Sequence, residues 1–339
     1  METKLLKSTT ESISLACSLI KSGEIVGVPT ETVYGLAGDA TNTNAIKKIF
    51  VAKGRPSDNP LIVHISNMNM LEKLVSFVSD DAKILANTFW PGPLTIIMPK
   101  SKLVCNEVCA GLNSVGIRMP ANKTALEIIE KSNIPFAAPS ANISGKPSPT
   151  TAQDVYDDMN GKIPLIIDGG ECEAGVESTV ISVLEKTPII LRPGVITKED
   201  IEKVLNKKVL IAKAIIEDIN TSEKVLSPGM KYKHYSPNAE VIILKGSLEQ
   251  FINYVKTKDE NNYYAMCFDG EEKLIPIKCI SYGAENDSRA QAHNLFKVLR
   301  KLDKQNAKKV YVRCPASDGI SLAVYNRLIR SAGFKIIEL

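Results

Sequence analysis

Apolar residues come in short runs through the first two hundred positions, and between the runs the spacing opens to a helical repeat. The runs are "EIVGV" (24 to 28), "LIVHI" (61 to 65), "LTIIM" (94 to 98), "SVGIRM" (114 to 119), "PFAAP" (135 to 139), "PLIID" (164 to 168), "STVISVL" (178 to 184) and "PIILR" (188 to 192). Each is short, and together they predict strands. In "NTNAIKKIFVAK" the apolar Ala45, Ile46, Ile49 and Phe50 fall at i, i+1, i+4 and i+5. One face of a helix is therefore apolar, and Asn42 stands where it can cap that helix. Strands alternating with helices predict an α/β layer fold. The runs at 178 to 184 and 188 to 192 follow each other through a short turn, so the sheet is expected to be mixed. A short helix is expected near 198 to 206.

From about 212 to 240 the alternation stops. "AKAIIEDINTSEKVLSPGMKYKHYSPNAE" carries prolines, a glycine and no sustained period, the composition of a linker. Beyond it "EVIIL", "NYYAMCF" and "KKVYVRC" read as strands, "DSRAQAHNLFKVLRKLDKQ" and "ISLAVYNRLIRSAG" as helices, and "FKIIEL" closes the chain. The expected organisation is a larger α/β domain over 1–207, a linker or lid over 208–238, and a smaller α/β domain over 239–339.

The totals agree with this division. At 339 residues the chain is long for one core, so two domains are expected. With 44% hydrophobic and 24% charged residues, and no apolar run near the ~20 residues a membrane span needs, no membrane association is expected. The polar-interrupted N-terminus lacks the apolar block of a signal peptide, so a cytoplasmic location is expected. Seven cysteines form no CxxC pair and leave an odd number, which suits reduced, mostly buried thiols. None of the three histidines is spaced near the cysteines as a zinc site requires, so no transition-metal centre is expected. A net charge of +4 permits an anionic ligand without the basic density of a nucleic-acid binder.

The familiar nucleotide motifs GxxxxGK[ST] and GxGxxG are absent, so a phosphate site would be built differently. Lys53 and Arg55, two apart, could grip separate oxygens of a polyphosphate, or could serve as a helix-closing cation and an ordinary surface charge. Pro56, Ser57, Asp58, Asn59 and Pro60 follow as a rigid turn before a buried strand, and ligands favour such strand ends. His64, inside that strand, reads more readily as a core residue than as a ligand. Thr32 follows the first strand, and its hydroxyl could cap a helix or bind a small polar substrate. Ser140 and Asn142 lie two apart after another strand, on one face if extended, or within an Asx turn. Arg118, Ser178 and Arg192 sit at further strand ends. Such a kit binds anions and orients small polar groups, and no Ser/His/Asp or Cys/His arrangement competes with it. It suits nucleotidyl or phosphoryl transfer without a covalent enzyme intermediate.

"PTETVYGL", "KGRPSDNPLIVHI", "WPGPLTIIM", "GIRMP", "SANISGKPSPT", "ESTVI" and "LRPG", in this order, resemble the YrdC-type threonylcarbamoyl-AMP synthases over about residues 12 to 200. The tail from "SPGMKYKHYSPNAE" to "AVYNRLIRSAG" resembles the long branch of that family, which adds a small Rossmann-like domain. The resemblance implies a YrdC-like twisted mixed sheet with helices, and a nucleotidyltransferase that makes threonylcarbamoyl-AMP and pyrophosphate from L-threonine, bicarbonate and ATP. This is the first step of threonylcarbamoyladenosine formation in tRNA, and a separate downstream transferase would take the adenylate on. Carried over motif by motif, Thr32, His64, Arg118, Ser140 and Ser178 would contact threonine. Lys53, Arg55, Asn59, Ser114, Asn142, Thr150, Arg192, His234 and Tyr235 would line the ATP side. Lys53 and Arg55 would act in catalysis, with Mg²⁺ held mainly by the ATP phosphates and no dedicated protein metal site. A basic concave face in the family leaves room for weak tRNA or double-stranded RNA contact. Many members carry aspartate where this chain has Glu31, a change expected to leave activity intact.

Overall fold

The apolar runs of the first two hundred residues become the interior of one long sheet. In the computed structural model, which describes residues 2–217, 234–258 and 262–339, eleven strands form it. They are β1 (Lys4–Lys7), β2 (Val26–Val28), β3 (Gly35–Asp39), β4 (Ile62–His64), β5 (Leu94–Pro99), β6 (Ser114–Arg118), β7 (Phe136–Ala137), β8 (Leu165–Asp168), β9 (Thr179–Ser182), β10 (Ile189–Arg192) and β11 (Leu210–Ile211). Their order is β1-β8-β2-β3-β7-β4-β6-β5-β9-β10-β11. Parallel pairs such as β4 with β6 alternate with antiparallel ones such as β9 with β10, so the sheet is mixed. All eight apolar runs are strands.

Helices α1 (Thr10–Lys21), α2 (Thr43–Lys53), α3 (Met68–Leu74), α4 (Asp80–Phe89), α5 (Lys123–Ser132), α6 (Ala152–Met159) and α7 (Lys198–Leu205) accompany it. In α2 the Asn42 side chain accepts from Asn44 and Ala45, and Ala45, Ile46, Ile49 and Phe50 are all buried. Gly54 ends the helix at φ 60°, in the left-handed region where a glycine costs least. That reversal sends the chain from Lys53 through Arg55 into β4.

Strand β3 lies within "PTETVYGLAGDA", which is not among the predicted strands. Its Gly-Leu-Ala-Gly-Asp has weak strand propensity, but its small residues let the layers close in. A Cβ on Gly35 would stand 3.2 Å from the Ala138 Cβ, and one on Gly38 3.1 Å from Ile25.

The second domain is wholly parallel. Strands β12 (Glu240–Lys245), β13 (Tyr263–Cys267), β14 (Cys279–Ser281), β15 (Lys309–Arg313) and β16 (Ile336–Glu338) run in the order β14-β13-β15-β12-β16. Helices α8 (Leu248–Lys256), α9 (Ser288–Lys304) and α10 (Ser321–Ser331) join them, as parallel crossovers require. Of the expected linker, residues 218–233 lie outside the described residues, and its opening residues add β11 to the large sheet beside β10. All seven cysteines are free, four of them buried.

The two domains share a core. Val33 and Val176, from loops of the first, pack in the same apolar cluster as Phe296, Leu299 and Val324 of the second. A Cβ on Gly175 would meet the His293 Cα at 2.4 Å, so only glycine admits α9 at that distance.

Candidate active site

One register pair organises the cleft. Because β4 and β6 are parallel, His64 stands opposite Arg118, and both are buried at the ends of their strands. The Arg118 guanidinium donates from Nη1 to Thr32 Oγ1 at 2.9 Å and from Nε to the Gly92 carbonyl at 3.2 Å. Its Nη2 pairs with Glu31 Oε1 at 2.6 Å. Thr32 is fixed in turn by Thr30, whose hydroxyl lies 2.9 Å away. Ser178, at the entrance to β9, shares a hydroxyl contact of 2.8 Å with Thr95. Arg192, ending β10, donates to the Ser178 carbonyl at 3.0 Å and to its Oγ at 3.1 Å.

These strand ends enclose a cavity lined by Thr32, Arg55, His64, Arg118, Ser140, Ser178, Arg192, His234 and Tyr235, with Thr30 and Glu177 beside them. Nine residues singled out from the sequence thus come together. Lys53, Asn59, Ser114, Asn142 and Thr150 stand outside its lining. Lys53 is turned away, donating to the carbonyls of Ser140 at 2.5 Å and Asn142 at 2.6 Å. It staples the Ser140–Asn142 loop from behind, so only Arg55 of the cationic pair faces the cavity. Asn142 Nδ2 closes the same loop onto the Ile143 and Lys146 carbonyls. Asn59 adjoins Arg55, whose Nη2 reaches the Asn59 and Pro60 carbonyls at 3.4 and 3.3 Å. Ser114 begins β6 opposite Pro99, at the end of the strand away from Arg118.

The second domain's side closes the cavity. Tyr235 is buried at φ 62°, its ring 5.2 Å from that of Phe296 on α9 and 5.2 Å from His234. Free room inside is about 50 Å³.

Burial dominates the electrostatics. It pushes the His64 ring down to about 3, helped by the neighbouring Arg118 charge, so His64 is neutral at pH 7. His234, the other histidine of the lining, is likewise pushed down to about 3 by burial, so neither ring is poised to titrate near neutrality. Burial lowers Arg55 to about 10, and burial with the Arg55 charge holds the Lys53 ammonium well below its usual range. Burial alone would raise the Glu177 carboxyl, but Arg327 and Arg192 hold it below the usual range. Several buried atoms here have no hydrogen-bond partner among the described residues: Arg55 Nε, Asn59 Oδ1, His64 Nδ1, Asn142 Oδ1 and Thr150 Oγ1.

Sequence reading does not single out Glu177 or Thr95. The signal for Glu177 is an acid before a strand that is wholly buried, and for Thr95 a lone hydroxyl inside an apolar run.

A mixed-sheet domain that gathers arginines, hydroxyls and a histidine at its strand ends, capped by a parallel α/β domain, defines a two-domain enzyme with a cleft for anionic substrates. Residues 18–194 match the family described as Telomere recombination, and residues 196–333 match Threonylcarbamoyl-AMP synthase, C-terminal domain. The chain belongs to the threonylcarbamoyl-AMP synthase family. It is 43% identical to the threonylcarbamoyl-AMP synthase of Pyrococcus abyssi, over 96% of each chain. It is 42% identical to that of Bacillus subtilis, over 98% of this chain and 96% of the relative. The crystal structure of P. abyssi Sua5 complexed with L-threonine superposes with a TM-score of 0.92 at 41% identity, covering 100% of both chains. Among the described residues no helix is long and apolar enough to cross a membrane.

Proposed function

We propose that this cleft makes threonylcarbamoyl-AMP from L-threonine, bicarbonate and ATP, releasing pyrophosphate and water. The observation that carries the reading is the pair of buried polar atoms on cavity-lining residues, Arg55 Nε and His64 Nδ1, that have no hydrogen-bond partner among the described residues, since native interiors satisfy nearly all such groups. A ligand rich in donors and acceptors would complete them.

Thr32, His64, Arg118, Ser140 and Ser178 are assigned to threonine. Arg118 keeps two of its five N–H donors beyond the contacts to Gly92, Thr32 and Glu31, enough for a carboxylate. Arg55, Asn59, Asn142, Thr150, Arg192, His234 and Tyr235 are assigned to ATP. Lys53 belongs to the same side, where it holds the Ser140–Asn142 loop. Ser114 has the least support, since four residues of β6 put it ~13 Å from Arg118.

The neutral threonine amine attacks bicarbonate, water leaves, and a carbamate forms. A carbamate oxygen then attacks the α-phosphorus in line as the bond to pyrophosphate breaks. Charge grows on the leaving group, and buried cations at Arg55 and Arg192 stabilise it without reorganising. With its ring near pKa 3, His64 is too weak a base to take the amine proton at neutral pH. That proton is assigned to bicarbonate or water, and His64 to orienting the substrate.

Mg²⁺ fits this scheme as a companion of the ATP phosphates, where it would screen their charge. Glu177 is the carboxylate among the described lining residues, and it is already bound to Arg327 and Ser148. It therefore offers little to a cation.

About 50 Å³ of room is far below the several hundred Å³ of a typical small-molecule pocket. His234 and Tyr235 would therefore swing aside to admit ATP and close again to keep water from the mixed anhydride. A downstream transferase would receive that anhydride, weak tRNA contact would assist delivery, and a cytoplasmic location goes with such a role. Incubation with ATP, bicarbonate and labelled threonine tests the reading. A threonine- and bicarbonate-dependent adenylate is expected, and its absence contradicts the proposal.

A further inference from the structure

The wall of the cleft that carries Ser178 and Arg192 belongs to the first domain, but its charge balance is completed by the second. Glu177 lies directly before Ser178 and is 6% exposed. One carboxylate oxygen accepts from Ser148 Oγ at 2.6 Å. The other accepts from Arg327 Nε on α10 at 3.1 Å. The same guanidinium donates from Nη2 to the Glu177 carbonyl at 3.3 Å and from Nη1 to the Pro193 carbonyl. Those two carbonyls flank the cleft residues: Glu177 precedes Ser178, and Pro193 follows Arg192. Arg327 is 0% exposed, and its Cζ lies 5.9 Å from the centre of the Tyr235 ring.

A second buried arginine, Arg300 of α9, pairs with Asp158 at 2.8 Å and donates to the Pro147 carbonyl, away from the segments that present Ser178 and Arg192, and other docking contacts lie at the rim. Lys297 with Glu171 at 2.9 Å and Lys304 with Asp157 at 3.1 Å are solvent-exposed rim pairs, of the kind that contribute little. Arg327 instead spends a rigid fork on the two chain segments that present Ser178 and Arg192. Its removal leaves the Glu177 charge buried, with Arg192 the other cation that holds its carboxyl down. Drawn toward Glu177, Arg192 would release the Ser178 carbonyl and hydroxyl that it now holds.

We propose that Arg327, through Glu177, is a positioning residue for the substrate-binding wall, so that the second domain sets the spacing of Ser178 and Arg192. This rests on the assignment of those two residues to the substrates. In this account Glu177 takes no part in chemistry. It is the joint through which α10 reaches the cleft.

The test uses the full chain and measures the threonine KM, kcat and the melting temperature of five variants. Arg327→Met is expected to raise KM about tenfold, the worth of one charge-assisted hydrogen bond, and to lower the melting temperature. Arg327→Lys keeps the charge without the two-carbonyl fork. It is expected to recover most of the melting temperature while KM stays several-fold high. Ser148→Ala removes one bond from Glu177 and is expected to raise KM about threefold with little loss of stability, as for a partial hydrogen-bond energy. Lys297→Ala, at the rim, is expected to change neither. Wild-type KM in both Arg327→Lys and Ser148→Ala overturns the proposal, whether or not Arg327→Met folds, and leaves Arg327 as interface glue. Ser178→Ala separates the two levels. A raised KM there with wild-type KM in both Arg327→Lys and Ser148→Ala sinks the brace alone. An unchanged KM there removes the wall assignment and the brace together.

Discussion

Arg55 of the cleft and Arg313 of the second domain are both buried and use their donors differently. Arg55, Arg118 and Arg192 are 9%, 4% and 7% exposed, against 5% for Arg313 and 0% for Arg327. Arg313 meets both Glu271 oxygens at 3.1 Å and the Gly246 carbonyl at 2.8 Å, and its guanidinium lies 5.3 Å from the Phe268 ring. Among the described residues Arg55 makes two long contacts to carbonyls, and its Nε has no partner. A buried cation costs free energy until an anion joins it. The second domain supplies that anion from its own chain, which makes Arg313 a structural residue. The cleft holds Arg55 ready for an anion from outside.

Four outcomes would break or sharpen this contrast, the largest first. Arg313→Met should cost about 3–5 kcal/mol of stability, the usual loss when one partner of a buried ion pair is removed. Chemical denaturation reads it, and a loss under about 1 kcal/mol, the scale of exposed pairs, would mean that the second domain's pairing is not structural. A smaller effect comes from His64. Its folded-state pKa of about 3 lies below the ordinary ~6.5, so as pH falls the unfolded chain takes up the proton first. Stability is whole above ~6.5 and declines below it, by at most ~1.4 kcal/mol per pH unit for one proton. His64→Asn should flatten the slope of melting temperature between pH 6.5 and 5, and an unaltered slope would count against a neutral buried ring. Thr32→Val should raise the threonine KM by roughly fivefold, the worth of a hydrogen bond near ~1 kcal/mol, with kcat little changed. An unchanged KM removes Thr32 from the threonine pocket. Ser114→Ala should alter ATP binding by under about 0.5 kcal/mol, as for a surface change away from any site. A larger loss measured by calorimetry would restore Ser114 to the ATP side.

The fold was legible wherever apolar periodicity dominated. "LIVHI" and "STVISVL" announce β4 and β9 by composition alone. "GLAGDA" hides β3, because that strand is selected by close packing of small residues, which no single-sequence propensity records. In the cleft, residue type and strand-end position picked out Arg55, Arg118, Ser178 and Arg192. What sequence could not supply was direction: Lys53 and Arg55 sit two apart, yet the helix end at Gly54 sends one behind the Ser140–Asn142 loop and the other into the cavity. Nor could it supply partners from the far end of the chain. Glu177 and Arg327 are 150 residues apart, and only the docking of α10 makes them a pair.

The most direct test of the contrast is Arg55→Ala, followed by ATP titration calorimetry in the presence of threonine and by thermal melting of the same sample. The account predicts that ATP affinity falls roughly 10- to 100-fold, the worth of hydrogen bonds to a charged group, while the melting temperature holds or rises because an unpaired buried charge is gone. ATP affinity equal to that of the unaltered chain, or a melting temperature that collapses as for Arg313→Met, would contradict it.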